Sequence, residues 1–372
     1  MINQVKGIFA AASKFIALAA LLTTTTAVCA WADGFPGNVY AMTNAAANSI
    51  AVYERGPAGI LTPAGTYLTN GRGTGAGLGS QGAIALSDDG RWLAAVNAAS
   101  NDVTLFAVNE RGLQFRSMAP SGGQTPISIT IHEDLVYVVN AGGTPNINGF
   151  RIRQRGMLEA IPGSALPLTG QAPGQIGFND DGDVLAVTEK GSNTIAIFRL
   201  EHGVPTGPIS WPSHGQTPFG FGFDKRDHLI VSEAFGDAAG ATAVSSYGVS
   251  ESADLTGITG SLKSGQTAAC WIAVNHKGTF TYSANTPSAT ITGYAISRTG
   301  ELSLLNADGI SAALPAGSAP TDMAVSRNDR FLYALNSGTG SVGAYQIASD
   351  GSLGFLGAVA GLPAGSVGLA AR

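Results

Sequence analysis

From residue 38 to residue 372 the chain repeats one pattern seven times, and that repeat limits the fold before any single residue is considered. One copy reads Gln81-GAIALSDDGRWLAAVNAASNDVTLFAVNERGLQF. It consists of an apolar run, an Asp-Gly turn, a run ending in Asn, a Ser/Asn turn, another run and a Gly turn. Further copies open at Pro126, Pro173, Pro218, Ala268 and Pro320, 45 to 52 residues apart. A period of that length holds four short strands with their turns, too long for a leucine-rich repeat and right for a β-propeller blade.

The first copy starts at Asn38, where the others have their second strand, so one strand is missing there. It is found at the other terminus, because Ser366-VGLAAR aligns with Gln81-GAIALS. The expected fold is all-β: a seven-bladed β-propeller of four-stranded blades, its ring closed by the C-terminal strand completing blade one. Such closure leaves only short, protected sheet edges. The 51 Gly and 17 Pro, with 44% hydrophobic and 12% charged residues, fit a turn-rich β chain and not a disordered one.

Residues 1–32 differ in character. Lys6 and Lys14 flank a segment whose apolar part, Phe15-IALAALL, leads through a Thr run to Ala30-Trp31-Ala32. This is the pattern of a signal peptide cleaved before Asp33, too short for a permanent membrane span. The expected organisation is a signal peptide over 1–32 and a single propeller domain over 33–372, exported to the periplasm or secreted, and monomeric. After cleavage 18 Lys and Arg face 25 acidic residues, a formal charge of −7 that excludes a nucleic-acid partner. Cys270 would then be the only cysteine, a buried thiol with no disulfide.

Strand direction sorts the candidate residues. The blade-to-blade loops and the loops joining second to third strands share one face, the usual binding face of this architecture, while the Asp-Gly hairpins lie on the other. On the loop-rich face the repeats Gly123-Gln124-Thr125-Pro126, Gly170-Gln171-Ala172-Pro173, Gly215-Gln216-Thr217-Pro218 and Gly265-Gln266-Thr267-Ala268 should bring Gln amides to the channel mouth. Second strands end at Asn97, Asn140, Thr188, Ser232, Asn285 and Asn336, which sets Glu189 and Glu233 one position further, on the rim. Of the histidines, His132, His228, His276 and His202 fall on the hairpin face, and His214 alone belongs to a blade-to-blade loop. Two oversized loops, residues 71–80 with Arg72 and residues 235–243 with Asp237, are placed to cover the mouth. Glu189, Glu233 and Asp237 form the one candidate set for Ca²⁺, and no other cofactor is expected. No zinc-hydrolase, EF-hand or nucleophile-elbow motif occurs.

The segments Val187-TEKGSNTIAIF, Arg91-WLAAVNAASNDVTLF and Arg330-FLYALNSGTGSVGAY, with the closing strand, resemble the lactonase-type seven-bladed propellers. That family includes 6-phosphogluconolactonase and 3-carboxy-cis,cis-muconate lactonising enzyme. Its enzymatic members carry Pro-His-x-His, Asp-Leu-Gly, Gly-Pro-Arg-His and Asn-Glu-Leu stretches. Here Pro173-Gly174-Gln175-Ile176 and Thr217-Pro218-Phe219-Gly220 lack the His and Arg, Glu189-Lys190-Gly191 replaces Asp-Leu-Gly, and Ser232-Glu233-Ala234 keeps the Glu. Without those cations a phosphosugar or tricarboxylate loses its anchors. Two readings follow. One is a hydrolase of weakly charged lactones or esters, with Glu233 as base and His214 and Gln216 beside it, and with Gln171, Glu189, Asn140 and Arg72 around the substrate. The other is a non-catalytic propeller that binds a polar ligand or partner at its channel mouth. As a rim carboxylate, Glu233 is expected to contribute little to stability.

Overall fold

The computed structural model describes residues 37–372; residues 1–36, and with them the expected signal peptide, lie outside the described residues. Seven antiparallel sheets follow one another along the chain, and each is a path of four strands. Blades three and six add a short stretch, Leu166–Pro167 and Ala312–Ala313, beside their third strands. The seven innermost strands, Val367–Ala371, Ile84–Leu86, Gln124–His132, Pro173–Phe178, Pro218–Phe223, Ala269–Val274 and Pro320–Val325, neighbour one another in a closed ring around the channel. No helix among the described residues is long and apolar enough to cross a membrane.

Blades stack face to face, so a second strand is covered on both sides and reads as a continuous apolar run. Val184–Glu189 and Phe331–Asn336 are buried at every residue. The outermost strands, such as Leu61–Leu68, are largely exposed. Tyrosines of the second strands then tie blade to blade. The Tyr137, Tyr282 and Tyr333 hydroxyls donate to the carbonyls of Gly203, Gly351 and Gly59, at 2.6, 2.8 and 3.0 Å, in the outer hairpin of the next blade. Gly59 has φ +84°, and a Cβ there would meet the Phe331 ring at 2.3 Å, so the captured turn needs glycine on two counts.

The ring closes as the repeat implies. Val367–Ala371 pairs antiparallel with Gly37–Met42, in the register Val39↔Ala371, Tyr40↔Ala370 and Ala41↔Leu369. Around the ring the third residue of each blade-to-blade repeat, Thr125, Ala172, Thr217, Ala268 and Ala319, takes φ between 45° and 53° or, for Thr217, 57°. A bulge follows at the start of the inner strand, as between Pro126 and Ser128, Pro173 and Gln175, or Pro320 and Asp322. Left-handed backbone and bulge together turn the incoming chain down into the channel wall.

Candidate functional site

The loop-rich end of the channel, the end the sequence marks as the binding face, is closed by the chain itself. Residues 71–80 leave blade one held by Asn44, whose amide donates to Ala76 O and Thr74 Oγ1 at 2.6 and 2.9 Å. The segment then crosses the mouth. Ser80 Oγ donates to Ile127 O at 2.8 Å, and the Trp271 indole donates to Ser80 O at 3.1 Å. Gln81 reaches from blade two to blade six, accepting from Ile272 N–H at 2.9 Å and donating to Ile272 O at 2.5 Å. Lys190 donates to Gly79 O and lies 4.4 Å from the Phe219 ring centroid, where burial lowers its pKa. The second long loop folds onto its own blade, Phe235 N–H donating to Gln216 O at 3.1 Å.

Glu189 and Glu233 are not rim residues. Register shows that they occupy the Asn position itself: Asn97, Asn140, Asn285 and Asn336 pair with Asp102, Asn146, Thr290 and Ser341, just as Glu189 and Glu233 pair with Thr194 and Ala243. The second strands of blades four and five therefore run one residue further than the sequence reading has them, and that last residue lies between the stacked blades instead of in the loop. Both glutamates are fully buried. Glu233 accepts from Gly215 N–H at 2.8 Å and from the Ser245 and Ser261 hydroxyls at 2.5 and 2.6 Å. Glu189 accepts from Gly170 N–H at 2.8 Å and Thr194 Oγ1 at 2.6 Å. A Cβ on Gly170 or Gly215 would fall 2.3 or 2.1 Å from the carboxylate, which is why the repeat has glycine there. Asn140 sits equally deep, donating to Ser121 O at 3.1 Å. The polar ends of the second strands thus anchor blade-to-blade loops.

The remaining candidates are spread out. His214 stacks on Tyr247, centroids 4.9 Å apart and planes 14° apart, and its ring lies against Gly257 and Gly260 of the outermost strand Leu255–Lys263. That is the periphery of blade five, not its inner edge. Gln171 and Gln216 are exposed, their carbonyls accepting from Gly191 and Phe235 N–H, while Gln266 donates to Asp308 O at 3.2 Å and accepts from Thr290 at 2.9 Å. Arg72 is exposed, and its N–H donates to Ser100 Oγ at 2.8 Å. Asp237 is exposed beyond the buried glutamates, and every contact to Glu233 presents a hydrogen to the carboxylate, an arrangement that repels a cation. Among the described residues no three His, Cys, Asp or Glu converge as metal ligands. Cys270 is buried, which raises its thiol pKa to about 12.

The open space is elsewhere. Ala85, Thr130, Gly177, Gly222, Ala273, Ala324 and Ala370, one small residue from each blade, ring a channel cavity of about 340 Å³. Gln81, Gln175 and Asp322 line the same cavity. Adjoining cavities of about 270 and 330 Å³ share its residues Leu86, Phe178 and His276 and run out to the hairpin turns, so the channel opens on the hairpin face. Sequence reasoning missed Gln81 and Asp322. The period gave a signal for both, since each stands near the start of an inner strand, but not the cross-channel reach that makes them matter.

Asp322 is 2% exposed and accepts from Met323 and Leu369 N–H at 2.8 and 3.1 Å and from Gly82 N–H. It thereby links blade seven to blades one and two. Burial raises its pKa from 3.8 to about 7, outweighing the three N–H donors. Between those values the folded protein holds a proton that the unfolded chain has released. This contribution to stability is complete below about pH 4 and is lost as the pH rises through about 7. Urea midpoints of Asp322→Asn should therefore gain on wild type as the pH goes from 5 to 8. A difference that stays constant across that range would rule out the assigned protonation.

Residues 37–165 match the model of the family described as Lactonase, 7-bladed beta-propeller. A structure from Lactobacillus plantarum superposes with a TM-score of 0.73 at 16% identity, covering 91% of this chain and 100% of that one. A putative 6-phosphogluconolactonase from Bacteroides fragilis gives 0.72 at 16% identity, with 91% and 98% covered. The periplasmic gluconolactonase of Pseudomonas aeruginosa gives 0.70 at 16% identity, with 89% and 98% covered. No curated protein matches. At these identities the structural likeness is one of fold.

Proposed function

We propose that this lactonase-like seven-bladed propeller is an exported, monomeric binding protein that takes a small polar molecule into its channel from the hairpin face. One observation carries the reading: a channel of about 340 Å³ sealed at the loop-rich end by Gln81 and residues 71–80, with its adjoining space leading to the hairpin turns. Ligand sites are concave, of this size, with a few polar groups among small or apolar walls. The export half of the proposal rests on the sequence of residues 1–32.

Hydrolysis of a lactone or ester is the second reading, favoured by the family match over residues 37–165 and by the names of two structural relatives. In that reading Glu233 would take a proton from water, and a base must lie within hydrogen-bond reach of the proton it removes. Both Glu233 oxygens are occupied by N–H and O–H donors inside blade five, and its side chain is buried, which weighs against that role. The purified protein is expected to hydrolyse neither 6-phosphogluconolactone nor glucono-lactone and nitrophenyl esters above the uncatalysed rate. It should instead gain thermal stability with a small ligand. Robust turnover that falls on the order of 10²-fold or more in a folded Glu233→Gln variant, the loss expected for a general base, would replace this reading with the hydrolase.

A further inference from the structure

Blades two, four, five, six and seven each place a residue of the first hairpin turn, and blade one the end of its closing strand, around the open mouth of the channel, and charge is divided around it by arc. Asp88 and Asp180, from blades two and four, stand on one side. Lys225, Arg327 and Arg372, from blades five, seven and one, stand on the other and line the same cavity of about 330 Å³. His276 is also there, held by Asp329 at 3.0 Å, and Asp88 lies 3.7 Å from His132. Among the described residues, Lys225, Arg327 and Arg372 form no ion pair. Arg327 nonetheless acts on Asp88, whose pKa it lowers against the effect of burial, so the two arcs face each other across the opening. Like charges gathered at a concave opening focus the field and raise the local concentration of a counter-ion.

We infer that the hairpin-face mouth binds a small hydroxylated organic monoanion, its carboxylate held by Arg327 and Lys225 and its hydroxyls donating to Asp88 and Asp180. The acidic arc argues for a single negative charge, because a second anionic group would face those carboxylates. It also argues for hydroxyls, which a carboxylate accepts without changing its own charge. The ring of small residues from Ala85 to Ala370 leaves room behind the mouth for the body of the ligand. This inference names the ligand class of the channel reading above and rests on it.

Calorimetry on the full mature chain tests it, with gluconate and glycerate as probes, and succinate, inorganic phosphate, spermidine and neutral glucono-lactone as comparisons. One-to-one binding of gluconate or glycerate is expected, weakened at least tenfold by Lys225→Gln with Arg327→Gln and by raising salt, since exposed charge pairs are screened within about 10 Å at 0.1 M. Arg298→Gln, an exposed cation in an outer hairpin of the same face, should leave the affinity unchanged. Equal weakening by Arg298→Gln would mean unspecific attraction and would overturn the site. Preference for phosphate or succinate, or binding of spermidine or the neutral lactone alone, would overturn the ligand class and leave the channel reading intact. Absence of binding by every probe would remove both.

Discussion

Deleting residues 365–372 should lower the stability of the propeller by on the order of 5–10 kcal/mol, as much as a whole domain commonly has. The segment supplies the innermost strand of blade one, and Val367 and Leu369 are 6% and 5% exposed. Burying two such side chains is worth roughly 1.5–3 kcal/mol each. The same strand gives Leu369 N–H to Asp322 at 3.1 Å, and the Arg55 guanidinium donates to Arg372 O at 3.2 Å. Without it Gly37–Met42 becomes an open edge beside an exposed core, the condition under which sheets pair with other chains. Urea unfolding of the truncated chain should begin near zero denaturant and be accompanied by aggregation. A synthetic peptide of residues 365–372 should restore part of the loss. A truncated protein with the full chain's midpoint would disprove closure by this strand.

The closing strand could be read from the sequence because it answers a defect in a period: one copy lacks its first strand and a spare one stands at the other terminus. The Gly-Gln-Thr-Pro loops could be read for the same reason, although not the role of their glutamines. Gln171 and Gln216 are exposed and Gln266 bonds within the protein, whereas the glutamine that matters for the channel, Gln81, bonds to Ile272 across 191 residues of chain. Nothing local encodes such a contact. The glutamates are a different failure. Trp92–Asn97, Val184–Glu189 and Phe331–Asn336 are each six residues long, and counting from their hairpins aligns Glu189 with Asn97. A strand ended at Thr188 is one residue too short, and that makes two interior anchors look like rim groups. His214 does belong to a blade-to-blade loop, yet loop membership does not fix radial distance, and its ring lies against the outermost strand.

Glu233→Ala should cost about 3 kcal/mol, the reverse of what a rim position implies. Among the described residues no cation pairs with its buried carboxylate, and three donors hold it: Gly215 N–H, Ser245 Oγ and Ser261 Oγ. Ser245 Oγ in turn accepts from Ser261 N–H at 2.8 Å, which fixes the third and fourth strands of blade five to the end of the second. Alanine leaves the Gly215 N–H buried without an acceptor, a loss of roughly 1–3 kcal/mol by itself, while hydrogen bonds to a charged acceptor are worth about 1.5–3 kcal/mol each. The hydroxyls can rotate toward other acceptors, so the three contributions will not add in full. Glu233→Gln should fall between, at about 1–2 kcal/mol, because one oxygen still accepts and a rotated serine can take the amide hydrogen. Asp237→Ala, four residues on and exposed, is a surface change expected to stay within about 0.5 kcal/mol. Equilibrium urea unfolding separates these values. If Glu233→Ala unfolds with wild-type energetics while Asp237→Ala does not, the carboxylate is not the anchor of the blade-to-blade loop, and the case against Glu233 as a base falls with it.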